Sequence, residues 1–162
     1  MTATTTTARA IITTPVEREI HIERIVNAPR HRVWQAYAEP ALIAQWWGRG
    51  NQLDIARMEF ERGGYWRYIE HTDHGVFGFE GRYREVVPNE RFVRSFEWDG
   101  MPAHVAIEFI TLTDTDDGGT RINIVMQMHT PEERDGFLHS GMQQGMDLAF
   151  AALDRLLESL AQ

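Results

Sequence analysis

The sequence contains no cysteine. That excludes disulfide staples, thiol catalysis and thiolate metal centres. Lysine is also missing, so all 16 basic residues are arginine; we read this as genomic bias before function. Acidic side chains outnumber basic ones 24 to 16, which leaves a formal net charge of −8 at pH 7. Nucleic-acid phosphates are held by a basic footprint, so nucleic acid is not an expected partner. No apolar run approaches the length of a membrane span, and no charged-then-apolar leader opens the chain, so the expected location is the cytoplasm. Gly-x-Ser-x-Gly elbows, phosphate loops and dinucleotide fingerprints are absent as well. Nucleophilic, phosphoryl-transfer and nicotinamide chemistries thereby lose their usual warrants, and no cofactor is expected.

What is present is an ordinary globular composition, 43% hydrophobic over 162 residues, which fits one domain with a real core. The organising stretch is Met142 to Leu160. Its apolar residues fall at steps of three and four (142, 146, 149, 150, 153, 156, 157, 160), which puts them on one face of a helix. The C-terminal half of that face is rich in Leu and should fill space. The N-terminal half offers Met142, Met146 and the small residues Gly141, Gly145 and Ala149, whose slim or adaptable side chains leave room above a sheet. The same two glycines equally permit close helix–sheet contact with no void.

Residues 1–16 are Thr-rich and read as a flexible N-terminal arm before a single domain over 17–162. Arg18 to Val26 alternates apolar and polar residues as a first strand. Pro29 opens a helix bearing Val33, Trp34 and Tyr37; Pro40 starts a second, short one bearing Ile43, Trp46 and Trp47, which Gly48 can end. From about Leu53 the texture becomes six strands separated by turn formers such as Gly63-Gly64, Asp99-Gly100 and Gly118-Gly119. Short separators favour a meander of antiparallel neighbours. Alternation places Trp66/Tyr68, Phe77/Phe79/Tyr83, Phe92/Phe96/Trp98, Val105/Ile107/Phe109 and Ile122/Ile124/Met126/Met128 on the dry face, with Glu108 among the wet residues. Thr130-Pro131-Glu132-Glu133 is a helix-capping pattern ahead of a short turn through Phe137. The fold class this order predicts is α+β. A curved antiparallel sheet of about seven strands wraps one long C-terminal helix, and two short helices follow the first strand.

Four stretches carry a family resemblance: residues 27–48, Gly63-Gly64-Tyr65-Trp66-Arg67, residues 81–92, and Gly141–Asp147 continuing through Leu153–Leu156. Together they resemble the activator of heat-shock-protein-90 ATPase homologue-like family of the START/Bet v 1-like (SRPBCC) superfamily. The resemblance implies a helix-grip fold with an internal cavity between sheet and long helix. It carries over no catalytic residue, because the short bacterial-type members have no assigned chemistry. The eukaryotic co-chaperone has a separate chaperone-engaging domain, whereas about 17 residues stand before the first strand here, so chaperone contact is not the expected partnership.

The candidate ligand-binding residues are Trp46, Trp66, Tyr68, Phe79, Tyr83, Phe96, Trp98, Ile107, Met126, Met128, Phe137, Met142 and Met146. Rings with polar tips and flexible thioethers suit a pocket for a small apolar or aromatic molecule, though such a stripe also serves as plain core. His71 and His74 sit in one turn with no third ligand at a recognisable interval, so no metal is expected. His104, His129 and His139 are scattered singles whose ordinary role is exposed or hydrogen-bonded. Arg94, Glu70 and Glu85 share parity with inward aromatics, and a charge that truly faces in must be paired or bind a ligand, unless a bulge turns it out. A ligand-binding protein is the first reading. A cavity enzyme of cyclase, hydrolase or lyase type and a chaperone-linked or regulatory interaction module are the alternatives. Nothing in the residues measures self-association, and a homodimer stays open.

Overall fold

A computed structural model describes residues 9–162. Eight strands form one antiparallel sheet: β1 (Ile11–Thr13), β2 (Glu19–Val26), β3 (Gln52–Met58), β4 (Tyr65–Thr72), β5 (Gly75–Val87), β6 (Arg91–Trp98), β7 (Ala106–Asp114) and β8 (Thr120–Gln127). Their spatial order is β1-β2-β8-β7-β6-β5-β4-β3. Six consecutive strands thus form the meander that short turns dictate, and β2 closes onto its last member. Four helices complete the described residues: α1 (Arg30–Ala38) and α2 (Pro40–Ile43) between β2 and β3, then α3 (Pro131–Leu138) and α4 (Met142–Leu160). The α+β class, the helix pair and the long C-terminal helix follow the sequence reading.

Local chemistry accounts for the joints. The Thr130 hydroxyl accepts from the Glu133 amide at 3.1 Å, and Glu133 returns a carboxylate oxygen to the His129 amide at 3.0 Å. That is the reciprocal cap its sequence announces, shifted back by one residue. At the β3–β4 hairpin a side chain on Gly64 would put its Cβ 1.9 Å from the Glu59 carbonyl, so only glycine fits.

One extra strand departs from expectation. Ile11–Thr13 pairs with β2 in the register Ile12↔Ile22, inside the stretch read as an arm. Ala10, just before it, is 4% exposed. What fixes this segment is Asp147 on α4, which accepts from the Ala10 amide at 3.1 Å and from Arg9 at 3.2 Å. Such long-range pairing leaves no periodic mark in three residues. The arm's first eight residues lie outside those described.

The aromatic face divides into two regions. Toward α1, Phe60 packs edge-to-face on Trp34 (5.3 Å), Tyr83 (4.9 Å) and Phe92 (5.2 Å), a solid ring cluster. Toward α3 and the start of α4, Trp47 meets Phe79 at 4.9 Å and Phe79 meets Phe96 at 5.7 Å. The Leu-rich half of α4 is buried through Leu153, Leu156 and Leu157, while Met142 and Met146 are half-buried.

Candidate functional site

Between the N-terminal half of α4 and the second aromatic region lies a pocket of about 780 Å³. Its apolar wall on the sheet side includes Phe77, Phe79, Phe96, Trp98, Ile110, Ile124 and Met126. Trp46 and Trp47 enter from the turn after α2, Phe137 from α3, and Met142, Met146, Ala149 and Phe150 from α4. Eight of the thirteen residues expected from sequence therefore line it: Trp46, Phe79, Phe96, Trp98, Met126, Phe137, Met142 and Met146.

The other five do not. Trp66, Tyr68 and Tyr83 are fully buried in the sheet-side core, and Met128 is buried beyond the end of β8. Ile107 is a correction of facing. On β7 the buried residues are Ala106, Glu108, Ile110 and Leu112, so Ile107 and Phe109 point to the other side. The strand carries apolar residues at both parities, and the face was decided by its neighbour. Glu108 stands directly opposite Arg94 in the β6–β7 register, and cross-strand partners share a face.

Two ion pairs sit in this apolar setting. The deeper joins Arg94 Nε to Glu108 Oε1 at 2.6 Å, with side chains 1% and 6% exposed. The Arg94 guanidinium lies 4.2 Å from the centre of the Trp66 ring and 5.5 Å from that of Phe92. Cation–π attraction compensates a charge held away from water. Its Nη1 donates to the Tyr68 hydroxyl at 3.3 Å, and its buried Nη2 has no hydrogen-bond partner among the described residues. Burial works against the cation, but Glu108 and the tyrosines Tyr68 and Tyr83 outweigh it and hold Arg94 above its ordinary value. Burial raises the neighbouring Tyr37 and Tyr83 hydroxyls too, so both stay protonated.

The second pair lies at the rim. Glu70, 1% exposed, accepts from Arg49 Nε and Nη2 at 3.0 and 2.9 Å and from Asn51 at 3.1 Å. Arg49 holds a left-handed backbone (φ 60°), strained for a residue with a side chain. Its side chain runs beneath α4 at Gly145, where an added Cβ would lie 3.1 Å from Arg49 Cδ. Gly145 thus makes room for an arginine, which neither of the two readings of the helix glycines contained. Of the three charged residues with inward parity, Arg94 and Glu70 do face in. Glu85 is half-exposed, turned by the bulge after Tyr83.

The histidines are peripheral. His71 pairs with Asp54 at 2.7 Å, His104 with Glu133 at 2.8 Å, and His74 stands exposed at the pocket rim beside Asp73. Among the described residues no group of three His, Asp or Glu side chains could hold a metal ion. Nor is any described helix long and apolar enough to cross a membrane.

Sequence reasoning left out the pocket residues Tyr37, Arg49, Asn51, Ile110 and Phe150, and misplaced Glu108. A usable signal existed only for Glu108, as the partner that an inward Arg94 requires.

Comparison with known proteins places this architecture. A crystal structure of a Rhodobacter sphaeroides protein is similar at 26% identity, with 93% of this chain and 99% of that one covered and a TM-score of 0.84. One from Mycobacterium smegmatis is similar at 22% identity, covering 93% and 98%, with a TM-score of 0.82. Another from Chromobacterium violaceum is similar at 25%, covering 88% and 99%, with a TM-score of 0.73. No curated protein matches the chain. The fold is the SRPBCC type that these neighbours share. The family model described as activator of Hsp90 ATPase homolog 1-like protein matches residues 27–158, and the chain belongs to that family.

Proposed function

We propose that this protein binds a small apolar or aromatic molecule between the front of α4 and the ring-bearing end of the sheet. The observation that carries the reading is the pocket of about 780 Å³, which separates Met142 and Met146 from Phe79 and Phe96. Its volume lies within the usual range for small-molecule sites, about 300–1,000 Å³. Affinity comes chiefly from burial, at about 25 cal/mol per Å² of apolar surface before the costs of association. The family and fold are consistent with a ligand-binding or a regulatory module, and the pocket favours the first.

Met146 decides the matter experimentally. Met146→Trp places an indole in the space and lowers affinity for pyrene, read by its fluorescence, by about tenfold or more. The far-UV circular dichroism stays unchanged. Unaltered pyrene binding in a folded Met146→Trp protein overturns this site.

A further inference from the structure

Deep in the pocket, Glu108 Oε1 is taken up by Arg94, whereas Oε2 accepts no hydrogen bond among the described residues. The side chain is 6% exposed and lines the pocket, so this oxygen is presented to the pocket and not to bulk water. The oxygen keeps some accessible surface, unlike Arg94 Nη2, and the pocket is where it can meet a donor. We infer that the pocket takes a neutral, flat molecule bearing a hydroxyl, its rings between Phe79 and Phe96 on one side and Met146 on the other, its hydroxyl donating to Glu108 Oε2. This deepens the pocket reading above and rests on it.

Three features favour a neutral donor over a charged ligand. Arg94 neutralises Glu108 at the floor, and Arg49 neutralises Glu70 at the rim. Inside the exposed Asp73 at the mouth, a charged guest would meet no uncompensated counter-charge at these two pairs and would still lose its hydration. Arg94 lies over Trp66 yet also lines the pocket with an Nη2 unpartnered among the described residues, and a hydroxyl is the neutral group that can donate to Glu108 while accepting from Arg94. Hydrogen bonds to an ionised acceptor are the stronger kind, so one such contact discriminates a hydroxyl from its bare hydrocarbon.

The test compares naphthalene with 1-naphthol by calorimetric or fluorescence titration against wild-type protein, Glu108→Gln and Glu108→Asp. Glutamine replaces the charged acceptor with a neutral amide. Aspartate keeps the charge opposite Arg94 but withdraws the oxygen by one methylene. Comparing the ratio of the two affinities between wild type and variant cancels the difference in hydrophobicity between the probes. We expect that ratio to favour 1-naphthol in wild type by about tenfold or more over its value in either variant. A ratio unchanged in the variants overturns the hydroxyl assignment while leaving pocket binding intact. Failure of both probes to bind wild type overturns the pocket reading together with this one. Should Glu108→Gln fail to fold, Glu108→Asp decides alone.

Discussion

Arg94 is held at 1% exposure by one carboxylate and a cage of rings, and its energetics are those of a matched pair. Arg94→Met leaves Glu108 buried without its counter-charge, which costs about 3–5 kcal/mol. The double replacement Arg94→Met with Glu108→Leu removes both charges from the apolar setting and recovers most of that loss. Urea denaturation of the two proteins checks the contrast, and equal destabilisation would contradict it. Half of this pair was legible in the residues. With Phe92 and Phe96 inward, a strand period of two turns Arg94 inward as well. Glu108 was not legible from its own strand, because β7 offers Ile107 and Phe109 at one parity and Ala106, Ile110 and Leu112 at the other. Only the register across to Arg94 breaks that tie.

Among the elements, α4 was the most readable, since its nineteen residues carry one unbroken apolar stripe. Its bounds matched the structure, and so did the meander, whose turn formers fix the strand ends. The division of the sheet face into packed core and pocket was not readable. Both halves are ringed, and what separates them is where α1 and the turn after α2 dock, a tertiary fact with no period in the sequence. Gly145 shows the same limit: its open space is set by Arg49, nearly a hundred positions earlier in the chain. That coupling can be measured. A helix-interior glycine replaced by alanine gains roughly 1 kcal/mol from propensity alone. In the wild-type protein Gly145→Ala pushes on Arg49 at 3.1 Å and weakens its grip on Glu70, so much of the gain is lost. In an Arg49→Ala background the full gain appears. A double-mutant cycle on thermal or urea unfolding should therefore show coupling of about 0.5–1 kcal/mol, and strict additivity would sink the assignment.

At the scale of the whole molecule, distant segments are fastened by carboxylates whose ionised form the fold favours. Hydrogen bonds from His21 and Gln127 lower Glu19, tying β2 to β8. A bond from His104 lowers Glu133, tying the loop before β7 to α3. Partial burial works against Asp147, but Gln143, the Ala10 amide and Arg9 outweigh it, and the carboxylate stays below its usual range. For groups depressed on folding, the unfolded chain binds protons first as pH falls. Their stabilisation is complete above the unfolded values near pH 4 and is lost as pH drops through the lower folded ones. The urea midpoint should accordingly hold level from pH 7 to about pH 5 and decline below about pH 4. Asp147 allows that acid limb to be resolved in space, because among the described residues it is the ionisable group of α4 that holds the segment ahead of β1, beside the neutral Gln143 that donates to the Ala10 carbonyl at 3.0 Å. Asp147→Asn keeps the shape but removes the charge that holds Arg9 and strengthens the Ala10 contact, at a cost of about 1 kcal/mol. Protection factors at the Ala10 and Ile12 amides, corrected for the intrinsic exchange rate at each pH, should fall in that variant at neutral pH as they do in wild type brought to low pH, while amides in the β6–β7 ladder keep their protection. Exchange that quickens uniformly across the sheet would instead mean that β1 opens only with global unfolding.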